Sequence, residues 1–560
     1  MTNPLRQLSA LAGLSLVFFY LGLGSYDLSA PDEPRYALVA REMLTDAHWL
    51  VLHRNQIPYP DKPPLFFWAI AGLSAAAGGT VTPWTARLPS ALAATVILLL
   101  MWQWSQDANR SRWLPVVTVL VLMSCVKFFF QARMVQIDML LTLFTTGALI
   151  IGFKALSGKP YSPFWLGICL GAAILAKGPV GLLIPIGSMC FFALLTGRET
   201  WKKMPLKGFL WGLLLPLVWL LALLVDVSLH DQWAYLNNLL FKQTVTRYFN
   251  AWVHHRPFYY FLVTFQHDFL PWTPFLWLVI PFSKKKWAGS SQQQKYAWAV
   301  IVFTLVFFSL SKGKRGLYIL PVFPFAAYLT ATRIVSYFEK GTIDKWAKGA
   351  WSLSGLIILA VGLAGVVAAS GQVTLPLNWI KTPLPVLWLA SLGGMLVLLA
   401  ATVFYSIWTD RVKGAFAAIV AAMALASFLM YSVLMPWVSP YRSARSFMTR
   451  ADQIIHSRAG TPVIGMVRYR SAFRFYGDFP LEEMHTCQDL TPFWIAHPSG
   501  WVIIRDKELK SCERTWTHKI KIHVRQRLGR GHDYLLISLN PTPDATGGKK
   551  PPEPEINLQG

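Results

Sequence analysis

From the N-terminus to Pro436, long apolar runs alternate with short polar segments. Runs of ~20 residues match the length an α-helix needs to cross the ~30 Å hydrocarbon core of a bilayer. The pattern predicts thirteen spans, at 8–24, 88–105, 113–130, 139–153, 162–176, 179–196, 208–226, 259–282, 297–311, 317–338, 350–370, 384–408 and 415–437. No small-x-small cleavage site follows the first run before Asp27, so it reads as a span and not as a signal peptide. The segment Pro64–Gly79 is apolar but short and rich in Ala and Gly, which suits an interfacial or re-entrant helix.

Between the spans, one set of loops is short and basic. It carries Arg110 and Arg112; Lys154 and Lys159; Arg198, Lys202, Lys203 and Lys207; Lys284, Lys285 and Lys286; Lys340, Lys345 and Lys348; Arg411 and Lys413. With a cytoplasmic N-terminus all of these fall on the cytoplasmic side, as the positive-inside rule asks. The two long loops, 25–87 and 227–259, then face outward, and long loops in compact proteins are usually functional.

After the last span the pattern changes. Residues 440–540 mix short alternating runs (Pro462–Val467, Trp501–Ile504, Asp533–Ser538) with charged helical stretches, which predicts a small α/β domain on the outer face. The division is therefore a membrane domain 1–439, an α/β domain 440–540 and a Pro- and Gly-rich tail 541–560 expected to be disordered. Cys125, Cys169 and Cys190 lie in apolar runs, as packing residues do. Cys487 and Cys512 are the two cysteines of the α/β domain, 25 positions apart. In an oxidising compartment they are expected to pair, closing a loop worth roughly 3 kcal/mol.

Composition narrows the class. Of 560 residues, 54% are hydrophobic and 14% charged, well short of the ~25% charge of a soluble domain. The net charge of +25 does not point to nucleic acid, because the basic residues are scattered in short clusters between apolar runs. That spacing suits anionic headgroups and topology.

Candidate chemistry gathers on the outer face. Asp32 and Glu33 follow the first span, with Arg35, Tyr36, Arg41 and Glu42 behind them. Acids before a helix-starting Pro34 are also ordinary capping. Lys62 sits among the stiffening prolines of Pro60-Asp-Lys-Pro-Pro. Asp138 lies at the mouth of the fourth span beside Arg133, and acids in such places are more often functional than decorative. Arg35, Arg41, Arg54, Lys62, Arg87, Arg133, Lys177, Lys312, Lys314 and Arg315 put positive charge where the topology disfavours it. Phosphate is the natural partner; snorkelling at the interface is the plainer account. Asp61, His254 and His255 lack tight metal-ligand spacing, so no metal or other cofactor is expected to be required.

These residues also carry a resemblance. Asp32-Glu-Pro-Arg-Tyr-Ala, Arg41-Glu-Met, Asp61-Lys-Pro-Pro-Leu with Trp68, and Arg87-Leu-Pro-Ser resemble the first periplasmic loop of the aminoarabinose lipid A transferases. Arg133 to Asp138, Lys177-Gly-Pro-Val-Gly, Arg247-Tyr, His255-Arg-Pro-Phe, Phe269-Leu-Pro-Trp and Lys314-Arg-Gly-Leu-Tyr follow in order, so the likeness covers roughly 8–340. The resemblance, shared with protein O-mannosyltransferases, implies an all-α polytopic GT-C fold with a large outward-facing cavity in a bacterial inner membrane. It implies a donor sugar, foremost 4-amino-4-deoxy-L-arabinose, on undecaprenyl phosphate, and an acceptor phosphate of lipid A or another glycolipid, with polymyxin resistance as the consequence. Asp32, Asp138 and Glu33 would be its catalytic acids. Lys62, Arg35, Arg54, Arg133, Lys177, Lys314 and Arg315 would meet the donor phosphate, and Tyr36, Tyr59, Asp61, His255 and Tyr318 would complete the cavity. A hydroxyl acceptor would need one carboxylate as a general base; a phosphate acceptor would not, leaving the acids to position the sugar or stabilise oxocarbenium-like charge. Galacturonic acid or mannose, with another lipid or a protein as acceptor, fits the same framework. A lipid-linked-sugar transporter would share the spans but should show inverted repeats, and none is evident.

Overall fold

The computed structural model describes residues 4–108, 111–240, 255–372, 380, 382–457, 462–477, 479–512, 520–529 and 531–539. Arg110, Arg247, His254 and the tail 541–560 lie outside the described residues. The chain divides into two compact units, Met1–Arg445 with Ser471–Tyr476, and Ser446–Arg470 with Gly477–Gly560.

The first unit is helical and membrane-spanning. Among the described residues, eight helices are long and apolar enough to cross a bilayer: Pro83–Gln106, Ile137–Leu156, Leu206–Leu229, Gln292–Leu310, Gly316–Lys340, Lys345–Ala369, Val386–Trp408 and Val412–Arg442. A bent pair, Leu114–Met123 and Val126–Ala132, makes a ninth if counted as one span. Leu11–Tyr20, Pro163–Lys177 and Val180–Thr196 are apolar but shorter. The helix Leu65–Ala76 has 12 residues, about 18 Å at 1.5 Å per residue, too short to cross.

Two of the thirteen expected spans are broken. The run 113–130 bends by 70° at Ser124–Cys125. The run 259–282 is not one helix but two short ones, Tyr260–Asp268 and Thr273–Trp277. The breaks answer each other. The Val126 N–H donates to the Leu270 carbonyl at 3.0 Å. Trp272 Nε1 donates to Ser124 Oγ at 3.0 Å, and Lys127 lies 3.4 Å from Asp268. A helix can break at membrane depth only where protein re-satisfies the freed backbone groups, and here each break supplies the other. Hydropathy, which sums side chains, does not register this.

Elsewhere the helices meet through small residues. Gly167 and Gly171 on Pro163–Lys177 face Gly208 and Gly212 on Leu206–Leu229. A Cβ on Gly167 would lie 2.4 Å from the Trp211 Cβ, and one on Gly171 would lie 2.9 Å from the Leu215 Cβ. Lipid gives no hydrophobic drive for helix pairing, so close backbone approach through small residues supplies the attraction.

The second unit carries a five-stranded mixed sheet in the spatial order Glu482–Met484, Ile464–Val467, Trp501–Arg505, His532–Leu539, Ile520–Leu528. The first three strands run parallel and the last two pair antiparallel. Val502, Ile504, Leu535 and Ile537 alternate onto one face and pack under Phe493, Trp494 and Leu509 of the covering helices. Cys487 and Cys512 form the expected disulfide, with Cα atoms 5.4 Å apart, and the three membrane-unit cysteines are free.

Two outcomes follow. Gly171→Leu should lower the melting midpoint in detergent by several degrees, since overpacking costs about 1–3 kcal/mol. Gly394→Leu, at a helical glycine with nothing within 4 Å of its Cβ position, is the matched control and should change little. Denatured, unreduced protein should leave Cys487 and Cys512 unlabelled by a thiol reagent; full labelling of both would refute the bridge.

Candidate functional site

The site is built around one buried ion pair. Glu33 and Arg87 are both fully buried. Arg87 Nε and Nη2 reach the two Glu33 oxygens at 2.9 Å each. Its remaining donors go to the carbonyls of Leu23 at 2.8 Å, Tyr26 at 2.9 Å and Asp27 at 2.9 Å. All five guanidinium N–H groups are thereby used. Glu33 also accepts from the Ser29 N–H at 2.7 Å and from the Val135 N–H at 2.9 Å. This pair ties the end of the first apolar helix, the first loop, the helix Pro83–Gln106 and the approach to Asp138 into one knot. The sequence placed Glu33 with the catalytic acids; its carboxylate is instead committed to Arg87 and to backbone N–H groups, outside the cavity's lining.

Asp32, the residue before it, opens the helix Asp32–Asp46 and is 7% exposed. It pairs with Arg35 one turn on, accepts from Arg315 Nη2 at 2.7 Å, and accepts from Gln136 Nε2 at 3.2 Å. Burial alone would raise its pKa, but Arg315, Arg35 and Gln136 together hold the carboxyl below its ordinary range. Asp32 is thus a fixed anion and a weak base. Asp138, in the first turn of Ile137–Leu156, pairs with Lys177, whose ammonium lies 4.4 Å from the centre of the Tyr318 ring.

Around these pairs lies a cavity lined by Arg35, Tyr36, Tyr59, Asp61, Lys62, Gln136, Ile137, Asp138, Lys177, Arg315, Leu317 and Tyr318. Four cations and two carboxylates, Asp61 and Asp138, line it, and Asp32 reaches it through its pairs with Arg35 and Arg315. Burial pushes the Tyr36 hydroxyl up to about 12 and the Tyr59 hydroxyl well above its usual value. Both stay protonated, as neutral donors at any working pH. The Tyr59 hydroxyl is buried with no hydrogen-bond partner among the described residues.

A hairpin delivers Tyr59, Asp61 and Lys62. His53–Arg54 pairs antiparallel with Ile57–Pro58, and the turn residues Asn55 and Gln56 both have positive φ, 59° and 62°. Such a turn favours residues tolerant of the left-handed region. Here Glu42, 1% exposed, fixes it by accepting the Asn55 and Gln56 N–H groups at 2.8 and 3.0 Å.

Other expected phosphate ligands lie elsewhere. Arg133 is 1% exposed, donates to the carbonyls of Phe18 and Leu21, and sits over Tyr431 at 4.1 Å. Lys314 donates to the carbonyls of Ser311 and, at 3.2 Å, Arg256. Both satisfy backbone carbonyls within the protein. Arg54 lies behind the lining, 5.9 Å from the Tyr59 ring. His255 is exposed and bridges by its backbone to Gly313. Among the described residues no group of three or more His, Cys, Asp or Glu could hold a metal. Gln136, Ile137 and Leu317 line the cavity without having been singled out in the sequence. Gln136 stood within the run from Arg133 to Asp138, but an amide beside a carboxylate carries no signal of its own.

Known proteins share this architecture. A family model described as dolichyl-phosphate-mannose-protein mannosyltransferase matches residues 61–225. An undecaprenyl phosphate-alpha-4-amino-4-deoxy-L-arabinose arabinosyl transferase of Edwardsiella ictaluri is 29% identical over 373 residues, 64% of this chain and 64% of that protein. The chain therefore matches just under two thirds of that relative's length. A second such transferase, from Proteus mirabilis, is 29% identical over 419 residues, 71% of this chain and 72% of that one. The crystal structure of ArnT from Cupriavidus metallidurans bound to undecaprenyl phosphate aligns with a TM-score of 0.70 at 20% identity, covering 94% of this chain and 97% of that one. The fold is that of the GT-C class of membrane glycosyltransferases. Within that class the chain is similar to the aminoarabinose transferases and, over residues 61–225, to the protein mannosyltransferases.

Neighbouring acids should separate by role. Glu33→Ala strands a buried guanidinium and should cost roughly 3–5 kcal/mol of stability, read as a collapse in yield or melting midpoint. Asp32→Asn should abolish sugar transfer at normal yield and melting midpoint. Equal stability losses in the two variants would remove the distinction.

Proposed function

We propose that this protein moves a sugar, 4-amino-4-deoxy-L-arabinose, from undecaprenyl phosphate to a phosphate of lipid A at the periplasmic face of the inner membrane. The observation that carries this reading is a cavity lined by Asp138, Lys62 and Tyr59, in which Asp138 is paired with Lys177 and the lining cations Arg35 and Arg315 are held by the buried Asp32. Relatives named as undecaprenyl phosphate-aminoarabinose arabinosyl transferases support the donor and the sugar.

The chemistry asks little beyond electrostatics. The bond between the sugar's anomeric carbon and the donor phosphate oxygen breaks, and its electron pair leaves with undecaprenyl phosphate. Lys62, Arg35 and Arg315 are the cations assigned to that departing charge, in a low-dielectric cavity where such contacts are strongest. The Tyr59 hydroxyl adds a neutral donor. An oxygen of the acceptor phosphate forms the new bond. It is already anionic, so no proton need be removed. That suits an Asp32 held below the ordinary carboxylate range, which would serve poorly as a general base. The carboxyl groups of Asp32 and Asp138 would instead stabilise oxocarbenium-like charge on the sugar ring. A periplasmic second unit accords with its Cys487–Cys512 disulfide, since disulfides persist in oxidising compartments.

Mass spectrometry of lipid A and of total envelope glycolipids, with and without the protein, tests the reading. A mass increment of one aminopentose on lipid A phosphate is expected, with resistance to polymyxin; an increment on another glycolipid would replace the acceptor, and none would sink the proposal. Lys62→Ala should weaken donor use by about 1.5–3 kcal/mol, the worth of one charge-assisted hydrogen bond. Unchanged competition by undecaprenyl phosphate would give Lys62 a structural role.

A further inference from the structure

The cavity's cations and carboxylates suit a phosphate and developing positive charge, but neither distinguishes one neutral sugar face from another. Gln136 does a different job. It is 6% exposed and lines the cavity between the Asp32 and Asp138 ion pairs. Its backbone is fixed twice: it is the residue before the helix Ile137–Leu156, and its carbonyl accepts from Ser90 Oγ at 3.3 Å. Its side-chain amide is fixed by chemistry. An ionised carboxylate only accepts hydrogen bonds, so the Nε2 end must face Asp32, which it meets at 3.2 Å. That contact settles which way the amide is turned and directs its carbonyl oxygen away from Asp32. The lining therefore holds an amide whose acceptor end is preset.

We propose that Gln136 is a specificity-determining residue that reads a hydroxyl of the donor sugar through its amide carbonyl. This rests on the donor assigned above. A preset neutral acceptor matches an alcohol donor and has nothing to offer a phosphate oxygen, itself an acceptor. Gln136 should thus separate sugar-loaded undecaprenyl phosphate from the bare lipid phosphate.

The test measures binding of undecaprenyl phosphate, bare and loaded with 4-amino-4-deoxy-L-arabinose, to the full-length protein in detergent. Gln136→Leu, and Gln136→Met as a variant that keeps the side chain's length, should weaken the loaded lipid roughly tenfold, the scale of one lost buried hydrogen bond. The bare lipid should bind as it does to the unsubstituted protein. Equal weakening of both lipids would make Gln136 a structural support for Asp32 and overturn the proposal, as would no change in either. Failure of the unsubstituted protein to bind either lipid would overturn the donor reading, and this inference with it.

Discussion

The Glu33–Arg87 pair is the constraint on which the site depends. Removing two charges from water costs several kcal/mol per ion, and only excellent geometry with every donor and acceptor matched offsets it. Here the match is complete for the guanidinium, and both carboxylate oxygens accept twice. The pair's partners are the segments that carry Asp32, Gln136 and Asp138. Glu33 adjoins Asp32, and Val135 adjoins Gln136 and lies one short turn before Asp138. A slip of either segment would unpair a buried charge, so the separation of Asp32 and Asp138 is held by an interaction neither takes part in.

The same economy runs through the membrane unit. Bilayer hydrocarbon offers no hydrogen bonds, so irregular backbone survives only where side chains or other backbone groups answer it. Arg133 and Lys314 do this for the carbonyls of Phe18, Leu21, Ser311 and Arg256, and the two broken helices do it for each other. Much of the positive charge that the sequence assigns to the outer face is therefore structural. The cations left to line the cavity, Arg35, Lys62, Lys177 and Arg315, are those that come from loop helices, turns and helix ends. Arg35, Lys177 and Arg315 pair with carboxylates, which fixes their positions before any ligand arrives. Preorganised charge of this kind needs no rearrangement at the moment of reaction.

The sequence by itself determined the apolar helices, the change of character after Pro436, the pairing of Cys487 with Cys512, and most of the cavity's charged residues. Each of these is local: hydropathy over ~20 residues, alternation over a strand, or a charged side chain where topology disfavours one. Tertiary structure decided which charges serve the cavity and which serve the fold. Asp32 and Glu33 are adjacent and alike in chemistry, yet one holds the cavity's Arg35 and Arg315 and the other is sealed against Arg87, because successive residues on a helix point about 100° apart. Arg315 and Arg133 look equivalent in the chain and differ only in whether a carboxylate or a row of carbonyls stands opposite. The breaks at Ser124–Cys125 and Leu270–Pro271 belong to neither segment alone, since each is tolerable only because the other satisfies it. Hydropathy and charge are properties of a residue; the partner that satisfies a buried polar group is a property of two segments far apart in the chain, and only folding brings them together.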